Sequence, residues 1–474
     1  MARRFVTIFL LALLTFSHAL AAEKEKPLPK DLPPYGELKP FQAPSATARK
    51  LSNGLTVWLV PRPGFPKVSL AVAVRGGKAA DSKDRPGLAT LITATVDQGT
   101  KTRTAKQIAE ELQAAGGDLY GDPGADDIIL STSVLSSKLE AGLTILADVL
   151  QNATFPDSEV DLAKRNASDR LRSQEADPFF LANRALVKAV FGEHPYNVIS
   201  PTQDSISKTT APELRRQYAR RFRPDQAALV VVGDFDAEKL MASVQSLLGN
   251  WAAPAEPPVP AAEKPSTPAP HAVFLVARPD SVQTTIGVGS IGPTRGEPDY
   301  PATQVANAIY GGMFGSRLTL NIREDKGYTY SPFAFLSPRR QAAVFQSWAA
   351  VRNEVTGATL NEMSYELNRM ATTAPKDEEV VHAQRYLIGN RAIELQAQDS
   401  VARELARLWV FGLPPEELGA ESERIQKVTA KDVEAMGGKY FPGARQTIVA
   451  VGEEKVIKEQ LAPFGLEEKP APQP

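Results

Sequence analysis

The stretch IREDKGYTY, Ile322 to Tyr330, sets an arginine, a lysine and two tyrosines around one glycine. Arg323 and Tyr330 stand seven residues apart in it. No nucleophile and no metal-ligand grouping lies nearby. On spacing alone, the pair braces a helix–strand junction or grips a ligand, and Tyr328 is a packing residue. Gly327 is placed to turn the chain between a helix holding Arg323 and a strand starting near Tyr328. Just upstream, YGGMFGSR carries Gly311, Gly312 and Gly315. Those glycines either allow close backbone approach to a substrate or simply end a helix at about Ala302–Tyr310. Arg317 reads as a surface or salt-bridging residue.

Other chemistries are thinly supplied. The chain has no cysteine, which removes disulfides, thiolate zinc sites and a cysteine nucleophile. Its four histidines are His18, His194, His271 and His382, far apart and without a His-x-x-x-His pair. His194 is expected in a loop, His271 at a strand edge and His382 on a helix surface. A serine–histidine pair would have no recognisable neighbourhood. Asp84, Asp97, Glu110 and Glu111 read as solvated charges.

The elements that must position the cluster follow from the rest of the chain. Its 474 residues, 43% apolar and 23% charged, can bury a large core. A formal net charge of −1 gives no electrostatic case for nucleic acid or an anionic membrane surface. Arg3 and Arg4, the apolar run Phe5–Phe16 and the small-x-small site Ala19-Leu-Ala21 predict a signal peptide over 1–21. The run is short for a membrane span, with a retained anchor as the alternative. The protein is therefore expected to be exported, periplasmic if bacterial, with no membrane span after cleavage. An extended Lys/Glu/Pro arm over 22–47 comes next. A Pro/Ala-rich, semi-rigid linker over 252–270 separates bodies at 48–251 and 271–466, and 467–474 is a tail.

The two bodies repeat one pattern. WLVPRPGFPKVSLAVAVRGG (Trp58–Gly77) aligns without a gap with FLVARPDSVQTTIGVGSIGP (Phe274–Pro293). ISKTTAPEL matches IQKVTAKDV, and VVVGDF matches VAVGEE, at nearly constant offset, as in a tandem duplication. Apolar alternation predicts strands at Thr56–Val60, Val68–Val74, Asp127–Val134, Ala272–Val276 and Thr284–Ser290. Amphipathic helices are expected at about Ser136–Gln151 and Asp157–Ala176. Thr210-Ala-Pro-Glu213 has the form of a capping box, with Thr429-Ala-Lys-Asp432 as its weaker partner. The fold class is α+β, repeated twice.

From about residue 48 to 466 the chain resembles the pitrilysin/insulinase-type, mitochondrial-processing-peptidase-like zinc metallopeptidases. The residues that carry the likeness are LSNGLTVWLVPRPGFPKVSLAVAVRGG and GLATLITATVDQGTKTRTAKQIAEELQAAGGDL. The resemblance implies two tandem LuxS/metallohydrolase-like domains forming half of a clamshell around an unfolded peptide. Its inverted zinc motif, His-x-x-Glu-His, falls on Thr90, Thr93 and Ala94 here. Two hydroxyls and a methyl can neither bind zinc nor polarise its water. The third family ligand, a glutamate, maps near Asp169 or Arg170. GLATLITATV then reads as a plain core helix, and no cofactor is expected in this chain.

The resemblance also gives Arg323 and Tyr330 a role. They would bind the substrate carbonyl and stabilise its oxyanion as preorganised donors in a dry cleft. Gly311, Gly312 and Gly315 would touch substrate. The chain is then expected to be the zinc-less subunit of a heterodimeric peptidase, inactive alone, with zinc held by a homologous partner and peptides as substrate. The alternative is a catalytically inactive peptide-binding scaffold or chaperone of an envelope complex.

Overall fold

The structure is a computed structural model that describes Gly36, residues 42–265 and residues 271–467. The expected signal peptide, most of the N-terminal arm, residues 266–270 of the linker and nearly all of the tail lie outside the described residues. Every helix and strand described lies between Thr47 and Phe464, within one compact unit.

Strands β1 (Thr47–Lys50), β2 (Thr56–Pro61), β3 (Lys67–Arg75), β4 (Leu119–Pro123), β5 (Asp127–Leu135) and β6 (Ala227–Gly233) form one sheet. Its order is β1-β2-β6-β3-β5-β4. Strands β7 (Ala272–Ala277), β8 (Gln283–Gly292), β9 (Phe333–Pro338), β10 (Ala343–Arg352) and β11 (Thr447–Gly452) form the second, in the order β7-β11-β8-β10-β9. Without β1 the two orders coincide. The first strand of each repeat pairs in parallel with the last, β2 with β6 and β7 with β11, and the other pairings are antiparallel. The sequence repeats are thus two copies of one α+β unit.

Strand composition explains the layering. β6 reads AALVVVG and is buried at every position, so both faces of its sheet must be covered. One face packs on helices of its own half, where Val57, Leu59, Leu70 and Val72 meet Leu91, Leu143, Leu214 and Val244. The other face, with Trp58, Ala71, Val230 and Val232, is covered by Val401, Leu405 and Leu408 of the Gln398–Phe411 helix from the second half. The exchange is mutual. The Pro178–Phe191 helix of the first half lays Ala182, Leu186 and Val190 against Val344, Trp348, Val449 and Val451 of the second sheet. Each fully buried Val or Leu contributes about 1.5–3 kcal/mol, so each half completes its core with a helix of the other.

Two sequence expectations change in detail. The Thr210 hydroxyl accepts from the Glu213 amide at 3.4 Å, but the Glu213 carboxylate faces Arg85 at 3.6 Å. Thr429 and Asp432 instead form the complete capping box. The shorter side chain is the one with no cation drawing it away. The linker residues 252–265 form no helix or strand. Arg223 and Arg220 donate to the carbonyls of Glu256 (2.6 Å) and Pro257 (3.4 Å), which ties this stretch to the first half.

Candidate functional site

The helix aligned with the zinc motif spans Leu88–Thr95 and buries Leu88, Ala89, Leu91, Ile92 and Thr95. Thr90 and Thr93 are half-buried and Ala94 is exposed, so the helix is core on one face only. The Thr93 hydroxyl donates to the Ala89 carbonyl at 2.7 Å. The neighbouring Asp157–Glu175 helix exposes both Asp169 and Arg170. This donor set does not fit zinc: it lacks an imidazole or thiolate, and its one carboxylate is tied to Arg172. Among the described residues no group of three or more His, Cys, Asp or Glu is arranged to hold a metal ion.

The start of this helix carries a feature that sequence reasoning missed. The Asp81 carboxylate accepts from the Gly87 and Ala89 amides at 2.8 and 3.1 Å and from Arg221 at 2.7 Å. Both charged side chains are fully buried, and Arg221 also donates to the Gly76 carbonyl at 2.7 Å. No local motif signals a pair 140 residues apart. It satisfies orphan helix amides and fixes the entry to the helix.

The second half places Arg323 and Tyr330 together. The Tyr300–Asn307 helix runs on into a π-helical segment, Ala308–Gly312, and a second one, Thr319–Asp325, holds Arg323. Such segments widen the helix and are frequent at functional sites. The Arg323 guanidinium lies 4.9 Å from the Tyr330 ring centroid and 4.7 Å from that of Phe314. It also approaches the exposed Glu324 at 3.2 Å. Tyr330 is 80% exposed and Phe314 70%. The cluster is therefore open to solvent in this chain, not the dry cleft expected. Phe314 went unnoticed in the sequence because it sits between glycines, outside any periodic pattern.

Gly327 adopts φ +63°, as the expected turn requires. The strand after it starts at Phe333 and not near Tyr328, because Pro332 has no amide hydrogen for the ladder. Tyr328–Ser331 instead wall an open cleft of about 460 Å³ with Gln283, Ala350 and Arg352. Of the three upstream glycines, Gly311 and Gly312 serve close packing. A Cβ on Gly311 would stand 2.8 Å from the Ala334 Cβ, and one on Gly312 2.9 Å from Asn307 Nδ2. Gly315 has open space. Arg317 is buried and makes a two-pronged pair with Glu379 at 2.7 and 2.9 Å, so it bridges and is not a surface residue.

The other singled-out groups are structural. His194 caps a short 3₁₀ turn, His271 bonds the Gln446 carbonyl at 2.8 Å, and His382 lies exposed on a helix. Asp97 is half-buried, not solvated as expected, and burial raises its pKa; Asp84 and Glu110 are exposed. At the seam between the halves, Asp126 accepts from the Tyr196 hydroxyl (2.7 Å) and from the Arg340 amide (2.8 Å). Beside it, burial and the Asp126 charge push the Asp127 carboxyl up to about 7.

Comparison with known proteins follows the same division. Residues 56–200 match Insulinase (Peptidase family M16), and residues 208–387 match the Peptidase M16 inactive domain. An uncharacterized zinc protease of Rickettsia felis is 27% identical over 409 residues, covering 83% of this chain and 94% of its own. Uncharacterized zinc protease YmxG of Bacillus subtilis is 23% identical over 354 residues, covering 73% and 84%. The crystal structure of a peptidase M16 inactive domain from Pseudomonas fluorescens superposes with a TM-score of 0.81 at 24% identity, covering 90% of this chain and all of that one. A protease from Helicobacter pylori gives 0.82 at 16% identity, covering 87% and 100%. These two structures share the fold.

Proposed function

We propose, from the premise that this chain belongs to the insulinase-type (M16) peptidase family, that it is the zinc-less, substrate-gripping subunit of a heterodimeric peptidase. A homologous partner chain supplies the zinc site. This chain supplies Arg323 and Tyr330, a wall of the chamber, and Gly315 at its rim. Its substrates are peptides or unfolded segments, and in a bacterium it works in the periplasm after signal cleavage.

The observation that carries this reading is the pairing of a partly exposed guanidinium with an exposed phenol in one half, while the other half's metal positions hold Thr90, Thr93 and Ala94. Both donors end in polar groups that reach solvent. Placed against a partner, they can donate to a peptide carbonyl oxygen, and more strongly as that oxygen gains charge. Exclusion of water by the partner would supply the dry surroundings this chain lacks alone.

The test is reconstitution with a homologous chain carrying an intact His-x-x-Glu-His. The pair should cleave an unstructured peptide in a zinc-dependent manner, and this chain alone should not. Arg323→Ala or Tyr330→Phe should slow turnover at least tenfold with zinc content unchanged. Loss of one such donor typically costs about 2.7–4 kcal/mol. Unaltered turnover in both variants would reduce the pair to structural bracing.

A further inference from the structure

The strand beside Tyr330 is only partly paired. β8 covers all ten residues of β10, from Ala343 to Arg352. On its other edge β9 covers only Ala343–Trp348, ending with Phe333 opposite Trp348. Continued in register, Pro332 would fall opposite Ala349 and Ser331 opposite Ala350. Pro332 cannot donate to the ladder and restricts Ser331 before it, so Tyr328–Ser331 swing away. Four residues of β10, about 13 Å of strand, are left without a neighbour from β9.

One contact marks this edge. The Thr329 hydroxyl donates to the Ala350 carbonyl at 2.8 Å, standing where a strand's amide would. In an antiparallel ladder a residue's amide and carbonyl share one edge, and so do those two residues on. The Ala350 amide and both backbone groups of Arg352 therefore face the same gap. The gap is the cleft of about 460 Å³ lined by Gln283, Gly327–Ser331, Ala350 and Arg352. Arg352 is exposed and is the one charged residue in that lining. Phe179 and Phe333, 6.1 Å apart and both partly exposed, stand where the paired part of β10 begins.

We propose that this edge is a binding site for an extended peptide carrying a carboxylate, which adds as a strand along Ala349–Arg352, displaces the Thr329 hydroxyl and presents its carboxylate to Arg352. Main-chain hydrogen bonds supply sequence-tolerant affinity and the single cation supplies the preference. The inference rests on the reading of this chain as a peptide-gripping subunit and names the side-chain chemistry it selects next to Tyr330.

The experiment is fluorescence-anisotropy titration of the full mature chain with fluorescein-labelled, proline-free octapeptides. One carries a single glutamate, its twin carries lysine there, and two more have alternate amides N-methylated in opposite phase. The glutamate peptide should bind at least tenfold tighter than the lysine peptide, and Arg352→Ala should abolish that difference. One N-methyl phase should weaken binding at least tenfold and the other should not. Equal binding of the acidic and basic peptides, retention of the preference in Arg352→Ala, or equal effects of both phases would each overturn the proposal. The assay needs neither partner nor turnover. Its failure leaves the Arg323 turnover test standing, and failure of that test leaves this one standing.

Discussion

Two charged sites, one in each half, stand in contrast: the entry to the Leu88–Thr95 helix in the first, and the Thr319–Asp325 segment of the second. In the first half the charge is sealed in. Asp81 and Arg221 are fully buried, hold each other at 2.7 Å and fix a regular eight-residue helix. In the second half a separate π-helical segment, Thr319–Asp325, carries Arg323, which stands partly exposed between two exposed rings. A shared fold can bury an arginine in an ion pair in one copy and leave another partly open to solvent in the other.

The sharpest way to break this comparison is to remove charge from each side and measure stability. Asp81→Ala leaves Arg221 buried and unpaired, and should lower unfolding stability by about 3–5 kcal/mol. Arg323→Ala, at a partly exposed site where two cation–π contacts are lost, should lower it by no more than about 2 kcal/mol. Chemical denaturation of both variants checks the pair of values. Similar losses would mean that Arg323 is structural too.

A second buried charge of the first half extends the contrast to pH. The folded Asp127 titrates at about 7, against an ordinary carboxylate near 4. The folded state therefore holds a proton that the unfolded chain releases between about pH 4 and 7. Stability from this group is full below pH 4 and is lost as pH rises through 7. Asp127→Asn should match the wild type near pH 4 and exceed it increasingly up to pH 8, by at most about 4 kcal/mol at about 1.4 kcal/mol per unit. Thermal melts across that range would show it; a constant difference would contradict the burial argument.

The smallest effect sharpens the other side. Phe314 touches Arg323 and, on the proposed function, would position it; an exposed cation–π contact is worth about 0.5–1 kcal/mol. Phe314→Ala in the reconstituted pair should slow turnover about two- to fivefold, and Phe314→Tyr should restore it. Equal losses in both variants would point to a steric role instead.

Much of the scaffold was legible because it is local. Strand alternation placed β2, β3, β5, β7 and β8 to within one or two residues, and the repeated segments implied two copies of one unit. The unsuitability of Thr90, Thr93 and Ala94 for zinc follows from their atoms alone. The start of β9 was misplaced because one proline outweighed the apolar and aromatic character of the residues before it. The exposure of Tyr330, the burial of Arg317, and the Asp81–Arg221 pair were not legible. Each depends on what a distant segment brings alongside.

Residue order by itself determined the duplicated α+β units and the loss of metal-binding atoms, since periodicity and side-chain identity need no partner to be read. Only the tertiary structure decided which helix covers which sheet, that Phe314 joins Arg323 and Tyr330, and that four residues of β10 stand open. Those outcomes are set by competition among segments far apart in the chain for the same apolar surfaces and hydrogen-bonding edges, and no local pattern records who wins.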